Sequence, residues 1–494
     1  MSLDLAASYD ALPYEGKPQP PTHPDSLATV ARLYGLNAPA VERCRVLELG
    51  CADGGNLVPM AATLPHGEFV GLDLSPRQVA DAEVMAQALG LTNVRLHAKS
   101  ILDVDDSWGA FDYVICHGVY SWVPPEVQDK ILDVCRRNLT PDGVAYVSYN
   151  TYPGWYARGA ARDLMVFHTR RFDRPDEKVR QARAILDYFV QVMPQQDATY
   201  TRVLREEADL IREQRDSYVF HEHLEATNSA VYFHEFAARA AAKGLQYLGE
   251  AAYHSNLHEY AADVRSTMNA LSPDRIHLEQ YLDFLTNRMF RRTLLCRAGR
   301  PVSPKPSAER LMTCGLTALA RPTSEAPDAA SADVVEFRTD EGFSASTNVP
   351  HIKAALLVLY EEWPRCVPFG ELWRKVCAKL PAPPADEARP ALAEALLQCW
   401  LTNLVEAHVA PPPVCLTPGE RPVAFPVARF QAKAGARRVC NLRHRTVALD
   451  DVDRRLVQLM DGTRDVAALR RELGGPEDFD ARLRNLARNS LVSA

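Results

Sequence analysis

Residues 45–150 predict an α/β fold with a doubly wound, mostly parallel sheet, and three observations carry that reading. Short apolar runs alternate with amphipathic helical stretches, a glycine-rich turn closes the first run, and an acidic residue closes the second. Strands are read at 45–49 (RVLEL), 68–74 (EFVGLDL), 93–98 (NVRLHA), 111–119 (FDYVICHGV) and 143–149 (GVAYVSY). Helices fit between them at 54–64, 76–90 and 124–139. Pro141-Asp142-Gly143 reads as a turn ahead of the fifth strand.

The pattern changes after residue 150. An apolar stripe over 178–193 (Val179, Ala182, Leu186, Phe189, Val190, Met193) predicts a helix stopped by Pro194. A second helix carries Tyr200, Val203, Leu204, Ala208 and Ile211 on one face. The stretch 218–236 is rich in histidine and aromatic residues. A helix over 231–243 then ends at Gly244. Strands at 245–253 and 290–297, with a helical stretch at 258–289 between them, resume the sheet around a helical insertion at 156–230. The expected organisation is an amino-terminal arm (1–30), a core (31–300), a Pro/Ser/Ala linker (301–332) and a carboxyl-terminal region (333–494). In the last, helix–turn–helix patterns at 353–376 and 447–494 suggest winged-helix-like units.

Composition limits the function classes. With 494 residues the chain holds roughly three domains at about 150 residues each. Its 47% hydrophobic and 24% charged residues argue against a disordered, collagen-like or membrane-embedded chain. No run approaches the ~18 apolar residues of a span, and the first residues carry no basic stretch followed by an apolar one. The 11 cysteines form no CxxC pair and read as reduced, buried thiols of a cytoplasmic protein. A net charge of −7, from 56 basic and 63 acidic residues, disfavours bulk nucleic-acid binding. Residues 437–494 hold 12 Arg against 9 acids, but several Arg lie three or four residues from Asp or Glu, the pattern of a paired, solvated helix face.

The segment VLELGCADGGN (46–56) and the acid at 73 form the strongest constellation. Gly50, Gly54 and Gly55 let the backbone turn under a cofactor, and Asp73 is placed to hold ribose hydroxyls. The spacing departs from the dinucleotide fingerprint, and Asp53 would repel a pyrophosphate. The ammonium and sulfonium of S-adenosylmethionine suit an acidic loop. The carboxyl edge beyond the fourth and fifth strands is rich in rings and amides: Tyr120, Trp122, Tyr149, Asn150, Tyr152 and Trp155. Such a pocket lowers the pKa of an incoming amine and guides it. His221, Glu222 and His223 invite a metal reading, but the spacing supports none. His221 and His223 are read as a substrate-side wall.

This core resembles class I S-adenosylmethionine-dependent methyltransferases, which have a Rossmann-like sheet. HGVYSWVP (117–124), SYNTYPGW (148–155), FHEHLEATNSAVYFHEF (220–236) and the amino-terminal YDALPY narrow the resemblance. They resemble the bacterial group that carries a methyltransferase regulatory region, which includes rickettsial protein-lysine methyltransferases acting on outer membrane protein B. The resemblance implies that Glu48, Gly50 and Asp53 border the methionine moiety, with Asn56 nearby. It implies Asp73 on the ribose, Leu74 on the adenine face, Ser100 and Ile101 at the adenine edge, and His117 near the transferred methyl. The arm would cover the cofactor through Tyr9 or Tyr14. The expected reaction is N-methylation of lysine in a protein substrate, with Tyr149 and Asn150 beside His117 as catalytic candidates and a homodimer as an expected assembly. Two alternatives stay open: a small molecule or peptide natural product as acceptor, or a cofactor-sensing regulator that binds DNA through the winged-helix-like region.

Overall fold

The computed structural model describes residues 15–193, 199–225, 227–252, 260–318 and 320–493. Seven strands form one sheet: β1 (Arg45–Leu49), β2 (Glu68–Asp73), β3 (Val94–Ala98), β4 (Phe111–Cys116), β5 (Leu139–Asn150), β6 (Leu245–Glu250) and β7 (Phe290–Arg297). Their order is β3-β2-β1-β4-β5-β7-β6. The first five run parallel, while β7 is antiparallel to both β5 and β6. The order reverses between β1 and β4, so a crevice opens at the carboxyl ends of these two strands.

Both faces of the sheet are buried, which is why its strands read as nearly continuous apolar runs. Leu47, Leu49, Val114, Cys116 and Val147 pack on one face. Val46, Tyr113, Ile115 and Tyr146 pack on the other, against Leu27 and Ala31 of the helix Pro24–Leu33. Strand alternation puts Glu48 on this second face. The crossover helices are Leu57–Thr63, Pro76–Ala88 and Pro125–Arg137. Ser75 caps the second of these, its hydroxyl accepting from the Gln78 N–H at 3.1 Å.

Two strand boundaries differ from the sequence reading. The fourth strand ends at Cys116, and the chain leaves the sheet through His117 and Gly118 (φ +68°). The fifth begins at Leu139, so Pro141-Asp142-Gly143 lies inside it. Pairing jumps from Phe111–Leu139 to Tyr113–Val144, and the turn-forming residues occupy a bulge in that jump, pinned by Thr140 donating to Asp112 at 3.1 Å.

Between β5 and β6 stand the helices Trp155–Thr169, Pro175–Val192 and Thr199–Glu213, then a short turn, Asp216–Val219, that runs into a π-helical turn, Phe220–Leu224. Met165, Val179, Ala182, Leu186, Leu204 and Ile211 form their shared core. Tyr200, expected on the buried face, is exposed. Pro194 lies outside the described residues.

The stretch read as a linker is largely structured. It holds the helix Ala308–Leu311 and the strand Gly315–Thr317, which is the middle strand of a small sheet with Val367–Pro368 and Glu406–His408. Leu311, Cys314 and Leu316 are buried in the core made by helices Pro350–Glu362, Phe369–Lys379 and Ala388–Leu401. Proline-rich flanks hide this element from a composition reading. A second unit follows: helix Pro426–Lys433, the hairpin Arg438–Cys440/Thr446–Ala448, and helices Asp451–Leu459, Val466–Glu472 and Phe479–Arg488. Among the described residues no helix is long and apolar enough to cross a membrane. All 11 cysteines are free thiols, and most are buried.

Candidate functional site

The crevice is built from the β1 turn upward. The chain leaves Leu49 through Gly50 (φ +79°), Ala52 (φ +48°) and Gly54 (φ +76°). Left-handed backbone at three alternate positions needs glycine or strain, and two of the three are glycine. Asp73 braces this turn. Its Oδ2 accepts from the Ala52 N–H and its Oδ1 from the Ser75 N–H, each at 2.9 Å. Asp53 accepts from the N–H groups of Gly55 (3.0 Å) and Gly16 (3.1 Å), and burial raises its pKa.

Glu48 lies beneath the turn and is buried. One carboxylate oxygen accepts from Asn56 Nδ2 at 2.6 Å, while the other is buried with no hydrogen-bond partner among the described residues. Burial pushes its pKa up to about 7, and the charges of Asp73 and Asp53 add to the rise. A buried carboxylate oxygen without a donor, beside two further acids, is an arrangement completed by a cationic ligand. The acidic loop thus fits the ammonium-bearing methyl donor expected from the sequence.

The described part of the arm lies across this turn. Gly16 sits against Gly55, with no room for a Cβ at either position, and the Gln19 N–H donates to Asn56 Oδ1 at 2.9 Å. Tyr9 and Tyr14 lie outside the described residues. On the far side, Leu74 is half-buried directly after Asp73. The Ser100 hydroxyl caps the turn Ile101–Asp103 by accepting from the Leu102 N–H (3.2 Å), and Ile101 leans on the sheet core.

His117 leaves β4 at the crevice. Its Nδ1 lies 2.9 Å from the Tyr146 hydroxyl and 3.3 Å from Ser148 Oγ, with Phe290 edge-on at 6.3 Å. Burial holds its pKa down to about 3, and the positive charges of Arg292 and Lys17 push in the same direction, so the ring is neutral. Sequence reading missed Tyr146 and Ser148, although the period of two along β5 groups 146, 148 and 150 on one side of the strand.

That same period corrects two candidates. The Tyr149 ring stacks on Phe236 at 4.1 Å, and its hydroxyl bonds Thr293 at 2.9 Å, deep in the opposite face. Tyr120 meets Phe236 edge-on at 5.3 Å and is fully buried. Both belong to the core rather than to the crevice. Asn150 stays at the strand's carboxyl end, its amide 3.3 Å from Asn228 Oδ1. Trp122 and Trp155 meet edge to face at 6.3 Å, and Tyr152 stacks on Tyr156 at 4.2 Å.

The histidine cluster is also corrected. His221 Nδ1 pairs with Glu225 at 2.9 Å, and His223 Nε2 with Glu207 at 2.5 Å. Glu207 further accepts from Arg158 at 3.0 Å. Both rings are buried within the insertion, so neither forms a wall facing a substrate. Glu222 between them is half-buried. Burial raises its pKa, and Lys17 of the arm acts electrostatically on it as well as on His117. In the carboxyl-terminal unit, Arg437, Arg454, Arg464, Arg470 and Arg482 pair with carboxylates, whereas Arg438, Arg455, Arg471 and Arg484 are exposed.

Three family models match: Methyltransferase domain over residues 40–186, Predicted methyltransferase regulatory domain over 215–297, and PKMT, C-terminal winged helix domain over 420–476. An uncharacterized protein of Rickettsia prowazekii is 35% identical over 475 residues, which is 93% of this chain and 84% of that protein. The solved structure of PKMT2 from Rickettsia typhi in complex with AdoHcy superposes with a TM-score of 0.87 at 30% identity, covering 97% of this chain and 100% of that one. An uncharacterized protein of Synechocystis is 27% identical over 297 residues, 58% of each chain.

Proposed function

We propose that this chain, which belongs to the family of S-adenosylmethionine-dependent methyltransferases carrying a regulatory domain and the PKMT winged helix, methylates the side-chain amine of lysine in a protein substrate. The observation that carries the reading is the likeness to PKMT2 across nearly the whole chain, appended domains included. When bound, the donor supplies an electrophilic methyl group on a sulfonium. Glu48 takes the donor's ammonium on its unpaired oxygen, and the turn through Gly50, Asp53 and Gly54 shapes the methionine end. Asp73 holds the ribose hydroxyls, with Leu74, Ser100 and Ile101 around the adenine.

On the acceptor side, a lysine amine with a solution pKa of about 10.4 must lose a proton before it can attack. The cations Lys17 and Arg292 beside His117 favour the neutral amine. His117 itself, held near 3, is a poor proton acceptor at neutral pH, so it orients the acceptor instead of deprotonating it. The proton therefore leaves to water before the amine attacks. Asn150, Trp122, Tyr152 and Trp155 border the path of the incoming side chain. The expected homodimer is supported by Phe167, Tyr188 and Val192, large apolar side chains left exposed on the insertion.

Incubation with labelled donor, lysine-containing peptides and a whole-cell lysate tests the reading. Label on lysine of a protein supports it, and label confined to the low-mass fraction sinks it. That second outcome would favour a small acceptor, a reading supported by Lys17 and Arg292, which also suit a carboxylate-bearing substrate.

A further inference from the structure

We infer that His444, at the tip of the carboxyl-terminal hairpin, is a positioning residue for the methyl-donor site: it fixes the Asn56 amide, which in turn holds the Glu48 carboxylate. The inference rests on the donor-binding reading of Glu48.

The hairpin tip is built to project this ring. Asn441 Oδ1 accepts from the N–H groups of Arg443 (3.0 Å) and Arg445 (2.9 Å), and its amide nitrogen donates to Asn489 O at 2.8 Å. His444 adopts φ +55°, a left-handed conformation that strains a residue with a Cβ. Arg443 anchors the tip from the other side. It pairs with Glu406, donates to Thr317 at 3.0 Å and lies 4.5 Å from the Trp363 ring centroid. Strain accepted at a braced tip is backbone committed to one placement.

That placement puts His444 Nε2 2.8 Å from Asn56 Oδ1. The ring is buried and neutral, and its Nδ1 has no hydrogen-bond partner among the described residues, so the single ring proton belongs on Nε2, which donates to the amide oxygen. The same oxygen accepts from the Gln19 N–H (2.9 Å) and lies 3.2 Å from the Thr22 hydroxyl. Donors converging on Oδ1 leave only one orientation for the amide. Its nitrogen faces inward, donating to Glu48 Oε1 at 2.6 Å and to Thr22 Oγ1 at 3.0 Å. Turned over, the NH2 group would face the Gln19 and His444 donors and leave Glu48 without one.

The charged and titratable groups around Glu48 set the direction of the effect. Asp53 and Asp73 on the loop side oppose its ionisation, and the Cys51 and Cys116 thiols, pushed up by burial, stay neutral. On the Asn56 side stand His444 and, 5.4 Å from its ring, His23, which burial holds near 4 and therefore neutral. The Asn56 N–H is the group that favours the carboxylate. Loosening it makes Glu48 keep its proton to higher pH, and a protonated Glu48 cannot pair with the donor's ammonium.

The test uses the full chain and S-adenosylhomocysteine, with affinity measured by calorimetry between pH 5.5 and 7.5. Wild-type affinity is expected to fall as pH drops below about 7. His444→Ala and His444→Phe, the latter keeping ring volume without the N–H, are expected to weaken binding several-fold at pH 7 and to move the midpoint upward. His444→Gln, whose amide can donate, restores both. Weaker binding with an unmoved midpoint, or unchanged binding in both N–H-less variants while Glu48→Gln binds poorly, overturns the inference. Unchanged binding by Glu48→Gln instead removes the donor-site reading on which it rests.

Discussion

The donor loop and the helical insertion both bury acids and histidines, yet they treat them in opposite ways. In the insertion the buried carboxylates meet cations or rings of the same helices: His221 with Glu225, and His223 and Arg158 with Glu207, although His223 Nδ1 finds no partner among the described residues. In the loop, Glu48 keeps a buried oxygen that no described residue satisfies. The contrast separates two uses of buried charge. A carboxylate paired with a cation or ring holds helices together, whereas one with an unpartnered oxygen marks where a cationic ligand completes the structure.

Two substitutions and a deletion test this contrast, in decreasing order of effect. Glu207→Ala strands buried Arg158 and His223 and should cost about 3–5 kcal/mol of stability, read by denaturant unfolding, with donor affinity unchanged. A loss of donor binding by the still-folded variant would mean that the insertion's pairs do more than hold helices together. Asp73→Asn should weaken donor binding about 10- to 100-fold by calorimetry, because charge-assisted hydrogen bonds become neutral ones. Asn keeps only one acceptor for the Ala52 and Ser75 N–H groups, so stability should fall as well, by about 1–3 kcal/mol, and unchanged affinity would remove the ribose assignment. Deleting residues 1–20 takes away the Gly16 and Gln19 N–H donors and should weaken donor binding only several-fold. Unaltered affinity would make the arm a passive tail.

Much of the donor half was legible because its signals are local. Periodicity, the glycines at 50 and 54 and the acid at 73 lie within one stretch, and the five parallel strands followed from them. The acceptor half was less legible. Tyr149 is at the correct edge but on the wrong face, since one residue of register moves a side chain through the sheet. Pro141-Asp142-Gly143 has turn chemistry, yet a bulge accommodates it within β5. His221 and His223 show a ligand-like spacing, but their partners Glu225 and Glu207 come from burial that spacing does not encode. The strand Gly315–Thr317 is too short to announce itself between prolines.

Asn56 bonds to Gln19, 37 residues before it, and to His444, 388 residues after it. In a chain synthesised from its amino terminus, all seven sheet strands emerge before the hairpin that bears His444. The sheet can therefore assemble on the ribosome while the donor loop still lacks its last hydrogen-bond donor. A chain without that hairpin would leave the Asn56 oxygen without its donor from His444. The amino-terminal arm, the turn after β1 and the carboxyl-terminal hairpin are thus joined in one amide.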